Sequence, residues 1–350
     1  MTVWSAPMLP ARFENEAALD DFLSQPAPAV VALMRRLPGD LAILGAAGKM
    51  GISLAIQAVR AVREAGVTKR VVAVARFSNP AARRALEDAG VETLACDLLE
   101  AAAVAGLPRL ANVVFMAGRK FGTGGDAPLT WAANTLLPAN VATHFRESRI
   151  VAFSTGCVYP LVAPDSGGCT EDEAPEPVGE YAQSCLGRER MFEYASGRWG
   201  TPLCLLRLNY AIDLRYGVLH DLASMILRDA PVDLGMGWFN CLWQGDANAR
   251  ALLALEHCAA PRTILNLTGP EILSVRDVAR RLGNALDRPV RFNGAEHPTA
   301  WLNNATQSLR LFGPPAVAVE RLIAWTADWL RTGGRSLGLP THFEVRDGRF

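Results

Sequence analysis

The chain has 350 residues, 50% of them hydrophobic, which is enough to bury one large core or two closely packed ones. Its 35 basic and 35 acidic residues cancel, and no run rich in Lys or Arg disturbs that balance, so neither nucleic acid nor an anionic membrane is expected as a partner. The expected partner is a small-molecule substrate.

A short helical N-terminal extension is predicted over residues 1–40. Apolar residues recur at helical spacing in Glu14–Leu23 and again in Pro28–Arg36. Pro26 and Pro28 mark the break between these two helices.

Between residues 41 and 210, short apolar strands alternate with helices. The predicted strands are Leu41–Leu44, Val71–Ala75, Glu92–Ala95, Val113–Met116, Ile150–Phe153 and Leu203–Leu208. The predicted helices are Ile52–Ala65, Ala81–Ala89, Thr130–Arg146 and Tyr181–Ser196. This alternation is typical of a doubly wound parallel sheet, so we expect an α/β Rossmann-type dinucleotide-binding domain with right-handed crossovers.

After residue 210 the alternation loosens into a smaller C-terminal α/β part, which we expect to be mainly substrate-binding over residues 211–350. Its predicted helices are Leu219–Leu227, Ala247–Glu256, Val275–Leu286 and Val317–Arg331.

Cysteine usage and hydropathy predict where the protein works. The seven cysteines are odd in number and dispersed, with no C-x-x-C pair, and the five histidines are scattered too. No apolar run approaches the roughly 18 residues that span a bilayer, and residues 1–20 lack the pattern of a secretory signal. A cytoplasmic protein with reduced thiols, no metal site and no membrane partner is expected.

A glycine motif follows the first predicted strand. Gly45, Gly48 and Gly51 are spaced G-x-x-G-x-x-G, and Lys49 and Met50 stand within the motif at the start of the next helix. These glycines permit a tight turn, close approach of backbone N–H groups to a pyrophosphate, and close helix–strand packing. The motif predicts a nicotinamide dinucleotide, although an ordinary strand–helix turn has the same appearance.

The ends of the second and third strands bear on which dinucleotide binds. Ala75 and Arg76 stand where domains that prefer NAD usually carry an acid, and Arg suits a 2′-phosphate. This pattern favours NADP over NAD, unless Arg76 is a solvated loop cation. Asp97, followed by Leu98, is expected near the adenine, where Asp97 alternatively caps a helix.

From Gly45 to about Pro340 the chain resembles the extended short-chain dehydrogenase/reductases, the NAD(P)-dependent sugar epimerase/dehydratase family. The landmarks that carry the resemblance appear in the family's order: Gly45–Gly51, Val113–Gly118, Phe153–Tyr159, Thr170–Tyr181, Leu206–Tyr210 and Leu265–Gly269.

The resemblance implies roles for several residues. Tyr181 would be the acid/base, which exchanges a proton with the substrate hydroxyl while hydride moves to or from the nicotinamide, and Thr155 would orient the reacting oxygen. Ala117 would lie beside the nicotinamide, and Asn209 belongs to a later landmark near the substrate. The resemblance also implies a homodimer, paired through Thr130–Arg146 and Tyr181–Ser196.

One departure from the family concerns the catalytic motif Y-x-x-x-K. Cys185 stands where the family has its Lys, and a neutral thiol neither binds the nicotinamide ribose nor lowers the pKa of Tyr181. Two cations are candidates for that role. Arg188 lies seven residues after Tyr181 on the same helical face. Lys120 follows the fourth strand and is favoured, because strand ends converge on the site; it is expected to contact substrate as well.

A second departure concerns the substrate. Members that act on nucleotide sugars carry an Arg shortly before a helix that here begins at Asp246, but residues 237–244 contain neither Arg nor Lys. Without that cation a diphosphate would bind poorly, whereas the aromatic residues and amides of this stretch, such as Asn240, suit a neutral or lightly charged polyol. The aromatic residues are equally compatible with a core position.

These patterns together predict an NAD(P)-dependent oxidoreductase or epimerase acting on a sugar, sugar acid or similar polyol rather than a nucleotide sugar. The alternative is a regulatory or structural protein that kept the fold and lost catalysis, which Cys185 favours. A nucleotide-sugar dehydratase is disfavoured because Gly156 and Cys157 stand where such enzymes have acids.

Overall fold

A computed structural model describes residues 9–120 and 125–349. The first eight residues of the predicted N-terminal extension lie outside the described residues. The extension forms helices α1 (Glu16–Leu23) and α2 (Pro28–Arg36). The Asn15 side chain caps α1 by accepting a hydrogen bond from the Ala18 amide at 2.9 Å. Pro28 begins α2. Proline is tolerated there because backbone N–H groups in the first turn of a helix have no acceptor within the helix.

The elements that follow agree with the predicted strand–helix alternation. In chain order they are β1 (Leu41–Leu44), α3 (Gly51–Ala65), β2 (Val71–Ala75), α4 (Pro80–Asp88), β3 (Glu92–Ala95), α5 (Ala101–Ala105), β4 (Asn112–Phe115), α6 (Ala127–Trp131), a π-helical turn at Ala132–Leu136, α7 (Leu137–His144), β5 (Arg149–Thr155), α8 (Gly179–Trp199) and β6 (Leu203–Leu208).

The C-terminal part contains short strands and longer helices. They are β7 (Ala211–Ile212), α9 (Val218–Leu227), β8 (Val232–Asp233), β9 (Trp238–Phe239), β10 (Leu242–Trp243), α10 (Gln244–Leu253), β11 (Thr263–Leu267), β12 (Leu273–Ser274), α11 (Val275–Leu286), β13 (Phe292–Asn293), α12 (Thr306–Phe312) and α13 (Val319–Arg331).

Seven parallel strands form the central sheet, in the order β11-β6-β5-β4-β1-β2-β3. β1 lies at the point where the strand order reverses, because Leu41 pairs with Val71 of β2 on one side and with Asn112 of β4 on the other. This order is that of a dinucleotide-binding sheet, and ligands of such sheets bind at the carboxyl ends of the strands beside that point. The predicted doubly wound Rossmann-type fold is confirmed.

Both faces of the sheet are buried. Residues alternate along β1, so that Ile43 packs with α2, α3 and α10, while Leu44 packs with α7 and α8 on the other face. A third cluster joins α1 to α9, α11 and α13. Because β11 pairs with β6, the C-terminal part also completes the sheet, and the predicted boundary at residue 210 stays a prediction.

No helix within residues 9–120 and 125–349 combines the length and the apolar character needed to cross a bilayer.

Candidate active site

The glycine motif forms a cradle between β1 and α3. Gly45 has φ +88°, and a Cβ added there would lie 2.6 Å from the Ala117 amide nitrogen. A Cβ at Gly51 would lie 2.6 Å from the Ala46 carbonyl oxygen, so any side chain there would push α3 away from the turn. The bare backbone therefore opens toward the N-terminus of α3, which suits the pyrophosphate of a dinucleotide.

Two cavities meet at this cradle, and both contact Gly45, Gly48, Met116, Gly118 and Arg119. The outer cavity, of 400 Å³, lies at the ends of β2 and β3. The inner cavity, of 290 Å³, lies at the ends of β5 and β6. A cleft with two arms that join at a phosphate-binding turn fits an extended dinucleotide, with one arm for each nucleoside.

The outer cavity brings together the predicted adenosine-side residues. Arg76, Asp97, Leu98 and Ala117 all line it. Arg76 is exposed at the end of β2. The Asp97 carboxylate accepts a hydrogen bond from the Leu99 amide at 3.0 Å, so Asp97 stabilises its own turn as well as facing the cavity.

The inner cavity brings together Thr155, Tyr181, Lys120 and Asn209, and its wall includes Lys49, Met50 and Gly51 of the glycine motif. Thr155 ends β5 and Tyr181 begins the helical face of α8, and their side chains are hydrogen-bonded to each other. Burial raises the pKa of Tyr181 well above its ordinary value, and the neighbouring Cys185 and Cys157 raise it further. Arg188 and the Thr155 hydrogen bond act in the opposite direction. The phenol is thus a protonated group poised to donate.

Cys185 does not line the inner cavity. Its side chain is 0% exposed and packs with Val158 and Tyr159 beneath Tyr181. Burial raises the pKa of this thiol, and the charge of Arg188 and a hydrogen bond with Tyr181 lower it only in part. The residue at the family's lysine position is therefore a neutral group packed behind the tyrosine.

Arg188 lines the inner cavity and is 7% exposed. Its guanidinium donates to the Phe153 carbonyl at 3.0 Å and to the Asn134 side-chain oxygen at 2.5 Å. Its buried Nε has no hydrogen-bond partner among the described residues. A Cβ at Gly118 would collide with this guanidinium, so Gly118 leaves room for it. Arg188 is thereby fixed under the cavity within electrostatic range of Tyr181.

Lys120 approaches the inner cavity from the loop after β4. Its ammonium donates to the Thr341 carbonyl at 3.1 Å. Burial lowers its pKa, while Cys157 and Asp221 raise it. Lys120 is not among the groups that most shift the pKa of Tyr181. Arg188 lowers the pKa of Tyr181, so it joins Lys120, the cation favoured from the sequence, as a candidate for the charge that acts on the tyrosine.

Lys49 is a further cation of the inner cavity, although the sequence predicted it only as a cofactor-binding residue. Its ammonium donates to the Ala211 carbonyl at 2.9 Å and lies 4.1 Å from the centroid of the Tyr216 ring. Burial lowers the pKa of Lys49 to about 7. The side chain thus leaves the glycine motif and reaches the substrate end of the cavity.

The two asparagines predicted at the substrate occupy different positions. Asn209 lines the inner cavity, and its amide nitrogen donates to the Asn240 oxygen at 3.0 Å. Asn240 is 1% exposed and donates in turn to the Asn303 carbonyl at 3.1 Å, so it supports Asn209 from behind and lies outside the cavity wall. Phe239 and Trp243 pack in the core, which removes them as polyol contacts.

Several residues of the inner cavity were not predicted from the sequence, including Cys157, Tyr210, Tyr216 and Thr341. Tyr210 follows β6 with φ +44°, a strained backbone for a bulky residue and one found often at functional sites. Thr341 comes from the C-terminal tail, and both its amide and its hydroxyl donate to the Asp221 carboxylate, at 2.7 and 2.6 Å. No motif marks these positions, because the fold alone brings them to the site.

The residues described in the structure include no cluster of three or more His, Cys, Asp or Glu side chains able to hold a metal ion.

Part of the chain is similar to a known protein family. Residues 41–212 match the model of the NAD-dependent epimerase/dehydratase family. No curated protein matches the chain in sequence.

Solved structures share the fold at low sequence identity. The enzyme WbmG of Bordetella bronchiseptica, in complex with NAD, is 18% identical with a TM-score of 0.71, over 88% of this chain and 98% of that one. UDP-glucuronic acid 4-epimerase from Bacillus cereus, in complex with NAD, is 18% identical with a TM-score of 0.69, over 84% and 99%. UDP-glucose 4-epimerase from Thermotoga maritima, with UDP-glucose, is 17% identical with a TM-score of 0.68, over 84% and 99%.

Proposed function

We propose that this chain, whose residues 41–212 match the model of the NAD-dependent epimerase/dehydratase family, is an NAD(P)-dependent oxidoreductase or epimerase acting on a small polyol. The observation that carries the proposal is the meeting of Tyr181, Thr155 and Arg188 in one cavity that opens onto the glycine cradle. A nicotinamide dinucleotide bound there supplies a hydride acceptor or donor.

The chain's own residues then handle the proton. In the reducing direction Tyr181 donates its phenolic proton to the substrate carbonyl oxygen, and in the oxidising direction it takes the hydroxyl proton back. The Thr155 hydroxyl, hydrogen-bonded to Tyr181, orients the same oxygen. Arg188 supplies the positive charge that Cys185 lacks, which limits the rise in the Tyr181 pKa caused by burial.

The C-terminal tail favours a small substrate over a nucleotide sugar. Thr341 lines the inner cavity, and Arg346 donates to the side-chain oxygen of Thr299 at 2.8 Å, so the tail packs along the C-terminal part beside the site. The neighbouring structures include complexes with UDP-sugars. In this chain the inner cavity, whose wall includes Thr341 of the tail, must also receive the nicotinamide, and we propose that the remaining space holds a single sugar-sized molecule.

For the cofactor, we propose that NADP(H) binds at least as tightly as NAD(H), because Arg76 stands at the outer cavity where a 2′-phosphate would lie. Titration of both dinucleotides into the purified protein tests this. Arg76→Ala should weaken NADP(H) and leave NAD(H) unchanged, while Arg84→Ala, an exposed arginine of α4 outside the cavity, should change neither. A clear preference of the wild type for NAD(H) would refute the role of Arg76.

The second candidate function, a cofactor-binding protein without catalysis, is favoured by Cys185 alone. Turnover assays with both cofactors and a panel of neutral sugars and sugar acids separate the two. Binding of a cofactor with no turnover on any member of the panel would favour the second candidate, and no binding of either cofactor would refute both.

A further inference from the structure

The charged side chains that line the inner cavity, among the described residues, are all positive. Four cationic side chains line it, Lys49, Arg119, Lys120 and Arg188, and none of the described residues in its wall is Asp or Glu. For a chain with 35 basic and 35 acidic residues this is a local concentration of positive charge. A cavity of one sign, with low-dielectric walls, attracts and selects ligands of the opposite sign.

Two of the carboxylates that act on these lysines, Asp213 and Asp221, already accept hydrogen bonds from other groups. Both Asp213 oxygens accept from the Arg215 guanidinium, at 3.0 and 2.8 Å. Asp221 accepts both hydrogen bonds of Thr341. Lys49 forms no ion pair with any described residue, and its acceptor is the neutral carbonyl of Ala211. Asp213 and Asp221 attract the Lys49 ammonium through space, but its hydrogen-bond acceptor is a neutral carbonyl.

The positions of the four cations indicate which ligand each of them could contact, the cofactor or the substrate. Arg119 lines both cavities and so lies where the pyrophosphate crosses, and Arg188 lies under Tyr181. Lys49 and Lys120 line the inner cavity only. Their contacts, Ala211 and Tyr216 for one and Thr341 for the other, belong to the substrate end. These two ammonium groups therefore lie at the substrate end of the inner cavity rather than where the dinucleotide phosphates would cross.

We propose that Lys49 and Lys120 form an anion-binding subsite that holds the carboxylate of a sugar acid, with its reacting carbon toward Tyr181. This assignment rests on the proposed function and narrows it to acidic substrates. Lys120 lies close enough to Lys49 to lower its pKa, so the two charges repel, and a carboxylate between them relieves that repulsion. Asn209 lines the same wall, and because its amide nitrogen donates to the Asn240 and Trp301 oxygens, its side-chain oxygen is the atom that can accept from a sugar hydroxyl.

The test measures binding to the NAD-loaded protein by calorimetry, with D-glucuronate against D-glucose and D-galacturonate against D-galactose. Each acid should bind at least about tenfold more tightly than its neutral partner, the effect of a charge-assisted hydrogen bond. Lys49→Met should remove that preference without changing the affinity for NAD, and Lys49→Arg should retain most of it. Lys69→Met is the matched control, because Lys69 also donates to a backbone carbonyl, that of Leu37 at 2.7 Å, but lies outside both cavities.

Several outcomes would overturn the proposal. Equal affinity for acids and neutral sugars, or no measurable binding of either acid, would refute the subsite while leaving an enzyme for neutral polyols. Loss of NAD affinity in Lys49→Met with the acid preference intact would assign Lys49 to the cofactor instead. Tighter binding of galactose 6-phosphate than of galacturonate would refute the carboxylate. Failure of the wild type to bind any dinucleotide would refute the proposed function itself, a result distinct from these.

Discussion

Of the four cations that line the cavity containing Tyr181, Arg188 and Lys120 are expected to have different effects on its proton. Arg188 lowers the pKa of Tyr181, whereas the ammonium of Lys120 points to the Thr341 carbonyl. Removing a nearby cation raises the pKa of a phenol. Arg188→Met should therefore move the tyrosine-dependent limb of the pH–rate profile to higher pH, and Lys120→Met should leave that limb in place.

The pH profile of kcat measured for the wild type and both variants checks this assignment. Lys120→Met serves as the internal control, since it also removes one cation from the same cavity. A shifted limb in Lys120→Met together with an unshifted one in Arg188→Met would reverse the assignment and restore the role predicted for Lys120 from the sequence.

Lys49 predicts a second pH dependence, on substrate binding. Burial lowers the pKa of Lys49 to about 7, and the nearby charges of Lys120 and Arg215 lower it too. Asp213 and Asp221 act in the opposite direction. The neutral ring of Tyr216 also faces the ammonium. As pH rises through this value Lys49 loses its proton, and with it the attraction for a carboxylate. The KM for a sugar acid should therefore rise above about pH 7.

Two controls isolate that effect. A neutral sugar should show no such rise in KM, and in Lys49→Met the KM for the acid should be high at every pH. A KM for the acid that stays constant from pH 6 to about pH 9 in the wild type would contradict the account, because Lys49 changes charge within that range.

At the scale of an element, helix α8 carries the catalytic face. Tyr181, Cys185 and Arg188 recur at helical spacing, and the last of these reaches the Phe153 carbonyl of β5. Restoring the family's residue with Cys185→Lys should therefore fail to raise turnover, because the position is 0% exposed and the charge is already supplied by Arg188. We expect lower stability, since a buried ammonium lacks a partner there.

Steady-state kinetics and thermal unfolding of Cys185→Lys measure both effects, with Cys185→Met as the variant that adds bulk without charge. Turnover created by Cys185→Lys in an otherwise inert protein would contradict this account and favour the non-catalytic candidate.

The elements themselves were largely predictable from hydrophobic pattern. The predicted bounds of β1, β2 and β6 coincide with those observed, because buried parallel strands are continuous apolar runs bounded by turns. Those of α2 and of the edge strand β3 coincide as well. The long helix predicted over Thr130–Arg146 is instead α6, a π-helical turn and α7. That turn carries Asn134, which binds both Arg188 and the Arg119 backbone, and such tertiary bonds leave no periodic signal.

The candidate site was predictable only where it follows a motif. Gly45, Thr155 and Tyr181 lie in motifs and meet at the cavity. The direction of the Lys49 side chain and the arrival of Thr341 depend on how the C-terminal part packs on the sheet, which local sequence does not encode. Asn240 has the right residue type, but packing places it behind the cavity wall.

At the scale of the whole molecule, the homodimer stays a prediction. The exposure of its apolar residues shows which of them are free to form the expected interface. Of the apolar residues expected at the interface, Leu137, Val141 and Phe192 are buried in the monomer's own core and are unavailable. Leu136 is 52% exposed, and Trp131 is also an exposed apolar residue of the same helical segment. We expect Leu136→Glu to convert a dimer to a monomer, because a charge would be desolvated at the interface.

Analytical ultracentrifugation at micromolar concentration measures this change. Leu311→Glu is the matched control, since Leu311 is 42% exposed on α12, away from the predicted interface, and its substitution should leave the dimer intact. A wild type that sediments only as a monomer would refute the predicted assembly.

The central claim is that this chain moves a proton through Tyr181 while a nicotinamide in the inner cavity exchanges a hydride. The most direct measurement is single-turnover absorbance of the reduced nicotinamide in the wild type and in Tyr181→Phe, each saturated with cofactor and sugar acid. Tyr181→Phe should bind cofactor with unchanged affinity and lose about 10²–10⁴-fold in rate, because only the proton relay is removed. A Tyr181→Phe variant that transfers hydride at the wild-type rate would contradict the account.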